Sequence, residues 1–235
     1  MVHGLARDSR TRRLLILRQS TQTEGPTVHP RLAALRKILA SEESATWVFS
    51  GEDGGPVHPE HLSLSGLFET EVRDARRRHD DIIVDSCKPR DRLVTLYMNL
   101  RPRVLRFEAT AAFLQLGAGD PRPARVRQET QALVRICQAL MEHGTTPVLL
   151  PPPAYLSGDA EAIARQRRRV VHVANQLFVP SIDIGSCRRP SDAGRVVLTE
   201  LGLDVDCDVR PLPAEEVRSM LAKAKTVAAS NIRGV

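Results

Sequence analysis

Ala112-Phe113-Leu114-Gln115-Leu116-Gly117-Ala118-Gly119-Asp120, followed after a helix-like run by Pro147-Val148-Leu149-Leu150-Pro151-Pro152-Pro153, is the stretch on which the fold turns. A short apolar run enters a glycine-containing turn that ends on a carboxylate. The next segment, Val126 to His143, carries Leu133, Val134, Ile136 and Leu140 at helical spacing, and a second apolar run closes the unit. Strand, turn, helix and strand in that order belong to a parallel α/β sheet, whose ligand-facing loops sit where strands end. The prolines after Leu150 cannot donate to a ladder and so mark the end of the strand.

The same alternation extends in both directions. Upstream, Leu32, Leu35, Ile38 and Leu39 have helical spacing from Pro30, and Ser41 to Ser44 ends the run. Trp47-Val48-Phe49 reads as the first strand and opens onto Ser50-Gly51-Glu52-Asp53-Gly54-Gly55. A helix from about His61 to His79 follows, with Leu64, Leu67, Phe68 and Val72 on one face and arginines on the other. Strand two is Ile82-Ile83-Val84, opening onto Asp85-Ser86-Cys87-Lys88-Pro89-Arg90. A third helix carries Leu93, Leu96, Met98, Leu100 and Val104, with Pro102 as a candidate break.

Downstream, residues 160–177 are helical and Val179 to Ile184 forms strand five. A polar connection from Cys187 to about Arg210 leads to a last helix near Ala214 to Ala228. This pattern predicts a three-layer α/β/α sandwich around a flavodoxin-like, five-stranded parallel sheet. Residues 1–28 read as a basic N-terminal extension of uncertain order and 29–235 as a single domain without internal repeats.

Composition sets limits on function. A chain of 235 residues with 42% hydrophobic content can fill one α/β core, and 3% aromatic content assigns that core to Leu, Val, Ile and Ala. No apolar run approaches the roughly 18 residues needed to span a bilayer, and the charged N-terminus lacks a following apolar region. The expectation is a cytoplasmic protein with no membrane association and no cofactor. Cys87, Cys137, Cys187 and Cys207 form no CxxC pair and read as free thiols. The net charge of +6 is concentrated in arginines, at Arg10, Arg12 and Arg13, at Arg76 to Arg78 and at Arg167 to Arg169. Such clusters neutralise phosphates in a groove or form solvated helix faces, and the lack of interleaved aromatics weakens a single-strand nucleic-acid reading.

The order and spacing of these blocks, from about Thr46 to Leu221, resemble the SGNH (GDSL) hydrolases of the lysophospholipase and acetylhydrolase-like type. Ile82-Ile83-Val84-Asp85-Ser86, Val104-Leu105-Arg106-Phe107 and Leu116-Gly117 carry the likeness of the scaffold. The resemblance implies a nucleophilic serine in Gly-Asp-Ser after strand one, where this chain reads Gly51-Glu52-Asp53. A carboxylate cannot perform the hydroxyl attack of that mechanism, and Ser50 precedes the glycine and is displaced from the nucleophile position. The resemblance further implies an oxyanion-hole glycine amide after strand two, where Cys87 and Arg90 stand. It implies an asparagine in Gly-x-Asn-Asp, where Gly119 stands, and loss of such a donor costs about 10² to 10³ in rate. The general base, a histidine in Asp-x-x-His before the last helix, is replaced by Arg210 in Cys207-Asp208-Val209-Arg210-Pro211. Arginine is not a neutral base near pH 7, and no histidine follows His172.

With all four signature residues replaced, the resemblance implies a pseudoenzyme without an assigned catalytic residue. Its relic pocket would hold Asp53, Cys87, Gly119, Asp120, Cys207 and Arg210. The candidate ligand contacts are Glu52, Asp53, Ser86, Asp120, Asp208 and Arg210. Several carboxylates in one cleft repel, so a cation, an arginine such as Arg210, or raised pKa values must accompany them. As metal ligands, Asp53, Asp120 and Asp208 offer oxygens and Cys87 with Cys207 a softer pair, but an arginine and carboxylate network is the plainer expectation. His58 and His61, three residues apart, are the histidines placed to approach the cleft. The leading function is a binding or scaffold protein acting through this pocket or the basic surface, with a protein partner or in a homo-oligomer. One alternative is an active hydrolase centred on Asp53 or Asp120. A second is a nucleic-acid binder using the N-terminal arm and Arg76 to Arg78.

Overall fold

The computed structural model describes residues 28–53, 63–117, 123–154 and 159–203. Five strands, β1 (Thr46–Asp53), β2 (Ile82–Asp85), β3 (Lys88–Pro89), β4 (Ala111–Gln115) and β5 (Thr146–Leu150), all pair in parallel. The order across the sheet is β2-β1-β4-β5, and short β3 joins the far end of β1. Beyond β5, Ser181 bridges Leu149. The Leu149 amide donates to the Pro180 carbonyl at 2.9 Å, and the Ile182 amide donates to the Leu149 carbonyl at 2.9 Å. The expected fifth strand over Val179 to Ile184 is therefore reduced to one bridge, in keeping with a proline that cannot donate to a ladder.

Side chains alternate across the sheet, so β1, β4 and β5 each feed two cores. Trp47, Phe49, Phe113, Val148 and Leu150 face one side, under α1 (Pro30–Ala40), α2 (Leu64–Thr70) and α7 (Pro190–Glu200). Val48, Ala112, Leu114 and Leu149 face the other, under α3 (Leu93–Met98), α4 (Leu100–Arg103), α5 (Pro123–Glu142) and α6 (Ala160–Leu177). The result is the expected three-layer α/β/α sandwich. Its first core departs from the aliphatic expectation, because four aromatics converge there. Trp47, Phe49, Phe68 and Phe113 are fully buried, and Phe49 stacks on Phe113 at 4.8 Å between ring centroids.

Three helical expectations are corrected. The run placed over 61–79 is described from Leu64; α2 continues as a π-helical turn, Glu71–Ala75, and stops there. Arg78 then turns inward and is buried instead of joining a solvated face. Its guanidinium meets Asp81 at 2.9 Å and donates to the carbonyls of Ser41 and Glu43. Asp81 also accepts from the Trp47 indole at 2.7 Å and the Ala45 amide at 3.1 Å, so one ion pair ties α1 to the base of β1. The third helix breaks at Asn99, ahead of Pro102. Proline lacks an N–H and its ring crowds the carbonyl four residues earlier, at Met98, which is 77% exposed rather than on the inward face. The stretch read as a polar connection from Cys187 onward contains α7, opened by Pro190 and burying Ala193, Val197 and Leu198. The N-terminal extension and the last predicted helix lie outside the described residues. Among the described residues, no helix is long and apolar enough to cross a membrane.

Candidate functional site

The ends of β1, β2 and β4 meet where the strand order reverses, the position at which open α/β sheets bind ligands. β1 outruns its neighbours because Gly51 adopts a φ of +116° and passes close to β4; a side chain there would run into the Gln115 carbonyl. Beyond it, Glu52 pairs with Lys88 and Asp53 with Pro89, so β3 lies against the Gly51-Glu52-Asp53 segment. The chain then turns through Arg90, held at a φ of +55°, and the Asp91 amide donates to the Lys88 carbonyl at 3.3 Å. An arginine thus occupies the left-handed conformation that favours glycine, in the region where the family resemblance expects one.

Among the predicted site residues, the structure brings together Glu52, Asp53, Ser86 and Cys87 on adjoining strand ends. The Ser86 amide and hydroxyl both donate to the Phe49 carbonyl, at 2.8 and 3.1 Å. The Cys87 amide donates to Asp85 at 2.9 Å, and the other Asp85 oxygen accepts from the Ser65 hydroxyl, linking this loop to α2. Cys137 and Cys187 are free thiols, and burial pushes the Cys137 thiol up to about 12. Gly119, Asp120, Cys207, Asp208 and Arg210, together with His58 and His61, lie outside the described residues. Among the described residues, no group of three or more His, Cys, Asp or Glu side chains is placed to hold a metal ion.

Glu52 lies across the turn after β4: a side chain at Gly117 would overlap its carboxylate. Its pKa is raised above the ordinary glutamate value, first by burial, then by the fields of Asp91 and Glu129, with Arg90 opposing. Beneath this cluster, Arg103 is buried and pairs with Asp91. It also donates to the Ser86 carbonyl and, at 3.4 Å, to the hydroxyl of the fully buried Ser50. Glu129 is buried as well and accepts from the Leu93 amide at 3.0 Å, satisfying one of the orphan donors that begin α3.

Arg103, Asp91 and Glu129 were not among the residues singled out from the sequence, although a signal was present for two of them. Stepping back from Ala132, Leu133, Ile136 and Leu140 at helical spacing lands on Glu129. Stepping forward from Leu96 and Leu100 lands on Arg103. A charged residue on a buried stripe must find a partner, and here the partners lie at the floor of the cleft.

No family model matches this chain, and no curated protein matches it in sequence. Solved structures do match. The chain is similar to the acetylxylan esterase Axe2 of Geobacillus stearothermophilus, with a TM-score of 0.54 and 11% identity over 70% of this chain and 97% of that one. It is also similar to a lipase/acylhydrolase from Enterococcus faecalis, with a TM-score of 0.51 and 14% identity over 67% and 95% of the two chains. A putative lipolytic protein of the G-D-S-L family from Desulfitobacterium hafniense gives 0.50 and 16% identity over 69% and 99%. With these likenesses added to the strand order and the placement of Gly51-Glu52-Asp53 at the end of β1, the chain has an SGNH hydrolase-like fold.

Proposed function

We propose that this protein is a non-hydrolytic member of the SGNH architecture that binds at its strand-end cleft without cleaving an ester. The observation that carries this reading is the fate of the hydroxyls around β1. Asp53 stands where the resemblance puts the nucleophile, while Ser50 is fully buried and receives an N–H from Arg103. A nucleophilic serine must be exposed to substrate and hydrogen-bonded to a base, and arginine at the head of Ser50 supplies neither condition. Two of the Axe2 structures are catalytic mutants, one at a serine and one at a histidine. Here Asp53 and Arg210 take the corresponding places in the resemblance.

A second reading, a hydrolase with carboxylate-centred machinery, draws on Glu52. Its raised pKa moves it toward the range where a carboxyl group works as an acid or base. Hydrolysis of p-nitrophenyl acetate by the full chain, beside Asp53→Ala and Glu52→Gln, separates the two. The first reading expects no turnover above the buffer rate for any of the three proteins. Turnover by the wild type that Asp53→Ala or Glu52→Gln abolishes would replace it with the second.

A further inference from the structure

The α3, α4 and α5 side of the molecule has a charge balance unlike the opposite side. From α3 to the end of α5, five arginines are exposed among the described residues: Arg101, Arg106, Arg125, Arg127 and Arg135. The exposed carboxylates over the same span are Glu108 and Glu142. None of the five arginines has an ion-pair partner among the described residues; Arg135 instead lies 5.8 Å from the Tyr97 ring centroid, and Arg106 lies 4.5 Å from that of Phe107. On the opposite side, Arg36 pairs with Glu200 and Arg73 with Glu69 at 2.9 Å.

The geometry of this side is regular. Leu93 meets Glu129 and Tyr97 meets Arg135, so α3 and α5 run side by side in the same sense. The exposed stripe of α5 reads Arg127, Gln131, Arg135, Gln138, alternating guanidinium and amide. Eight residues separate Arg127 from Arg135, about 12 Å along the helix axis at 1.5 Å per residue. That spacing is close to the roughly 12 Å width of the B-DNA major groove, so the two cations can reach phosphates on its two sides. Guanidinium matches phosphate in bidentate geometry, and amides between the cations add uncharged donors.

We infer that the α3 to α5 face is a docking surface for the phosphate backbone of duplex DNA, without base-specific reading. This surface is not the one the sequence pointed to: Arg78 of the Arg76 to Arg78 cluster is buried with Asp81, while the α5 arginines are dispersed by the helical period and form no run.

The test is fluorescence anisotropy of a labelled, random-sequence duplex of roughly 20 base pairs with the full chain across a salt series. The expected result is binding whose logarithm falls with log salt, with a slope of magnitude no more than about 4.5 if all five arginines meet phosphates. Arg127→Glu with Arg135→Glu weakens binding at least about tenfold and reduces the slope by about 2. Lys37→Glu with Arg76→Glu, on the opposite side, leaves affinity within about twofold. Arg127→Gln with Arg135→Gln removes charge without reversing it, and its circular-dichroism melt separates lost docking from lost folding. Absence of duplex binding by the wild type, an equal loss in both charge-reversed pairs, or an affinity unmoved by the Arg127 and Arg135 changes would overturn the inference. So would binding to phosphatidylglycerol vesicles in place of the duplex.

Discussion

Glu52 shows how the surroundings of a single residue become a measurable property. Its native pKa lies above its ordinary value, chiefly through burial, so the native state holds this proton more tightly than the unfolded chain. Stability from this group is therefore present at acid pH, declines as pH rises through the interval from the ordinary to the raised value, and stays low above it. Glu52→Gln removes that decline. Urea midpoints should coincide for the two proteins near about pH 3.5 and favour the variant near about pH 7. Equal midpoints at both values would place Glu52 in solvent instead. Part of this residue was legible beforehand: Gly51-Glu52-Asp53 after an apolar run announces a strand-end loop. The neighbours that set its pKa were not, because Asp91 and Glu129 arrive from elements 39 and 77 residues away, and only the folded sheet brings them within range.

At the scale of elements, α1 depends on an uncommon cap. The Nδ1 of His29 accepts from the Arg31 amide at 3.2 Å, a role that only the neutral ring can play. Burial, then the nearby Arg31 charge, lowers the His29 pKa. A base with a depressed native pKa loses stability as pH falls through its unfolded value, near about 6.5, toward the native one. Asparagine caps without titrating, so His29→Asn should narrow the difference in melting temperature between about pH 7.5 and about pH 5, while leaving the value at the higher pH within a few degrees. An unchanged difference would mean that the fall below neutrality arises elsewhere. Elements with a clean period were readable from sequence, such as α5 and the β1, β4 and β5 runs. The ones that escaped were governed by single residues: Pro102 moved a helix break back to Asn99, and Pro180 thinned a strand to one bridge. Within the connection read as polar, α7 hides an apolar face behind Arg188, Arg189 and Asp192.

For the whole molecule, the sheet separates two cores of different character. One is aliphatic and packs α3 to α6; the other sets Trp47, Phe49, Phe68 and Phe113 in mutual contact beneath α1, α2 and α7. Phe113 sits at the middle of this group and touches the other three rings. Phe113→Ala should lower unfolding free energy by about 3 to 5 kcal/mol, read from urea unfolding, since the rings around it cannot all collapse into the space it leaves. A loss under about 1 kcal/mol would show a core that repacks freely. The low aromatic content had suggested no such cluster, because composition counts residues without saying where they gather.

The chain has one tryptophan, and the fold has put it at the junction of everything described above. Trp47 is wholly shielded from water, stands in the central strand β1, and gives its indole proton to the same Asp81 that fastens Arg78. Light emitted by this protein under excitation selective for indole therefore comes from a single, fixed address. A shift of that emission toward longer wavelength marks water entering the centre of the sheet, and its time course can be set beside that of helix loss. The molecule is, in that respect, supplied with its own internal gauge of unfolding, and no dye or engineered label is needed to read it.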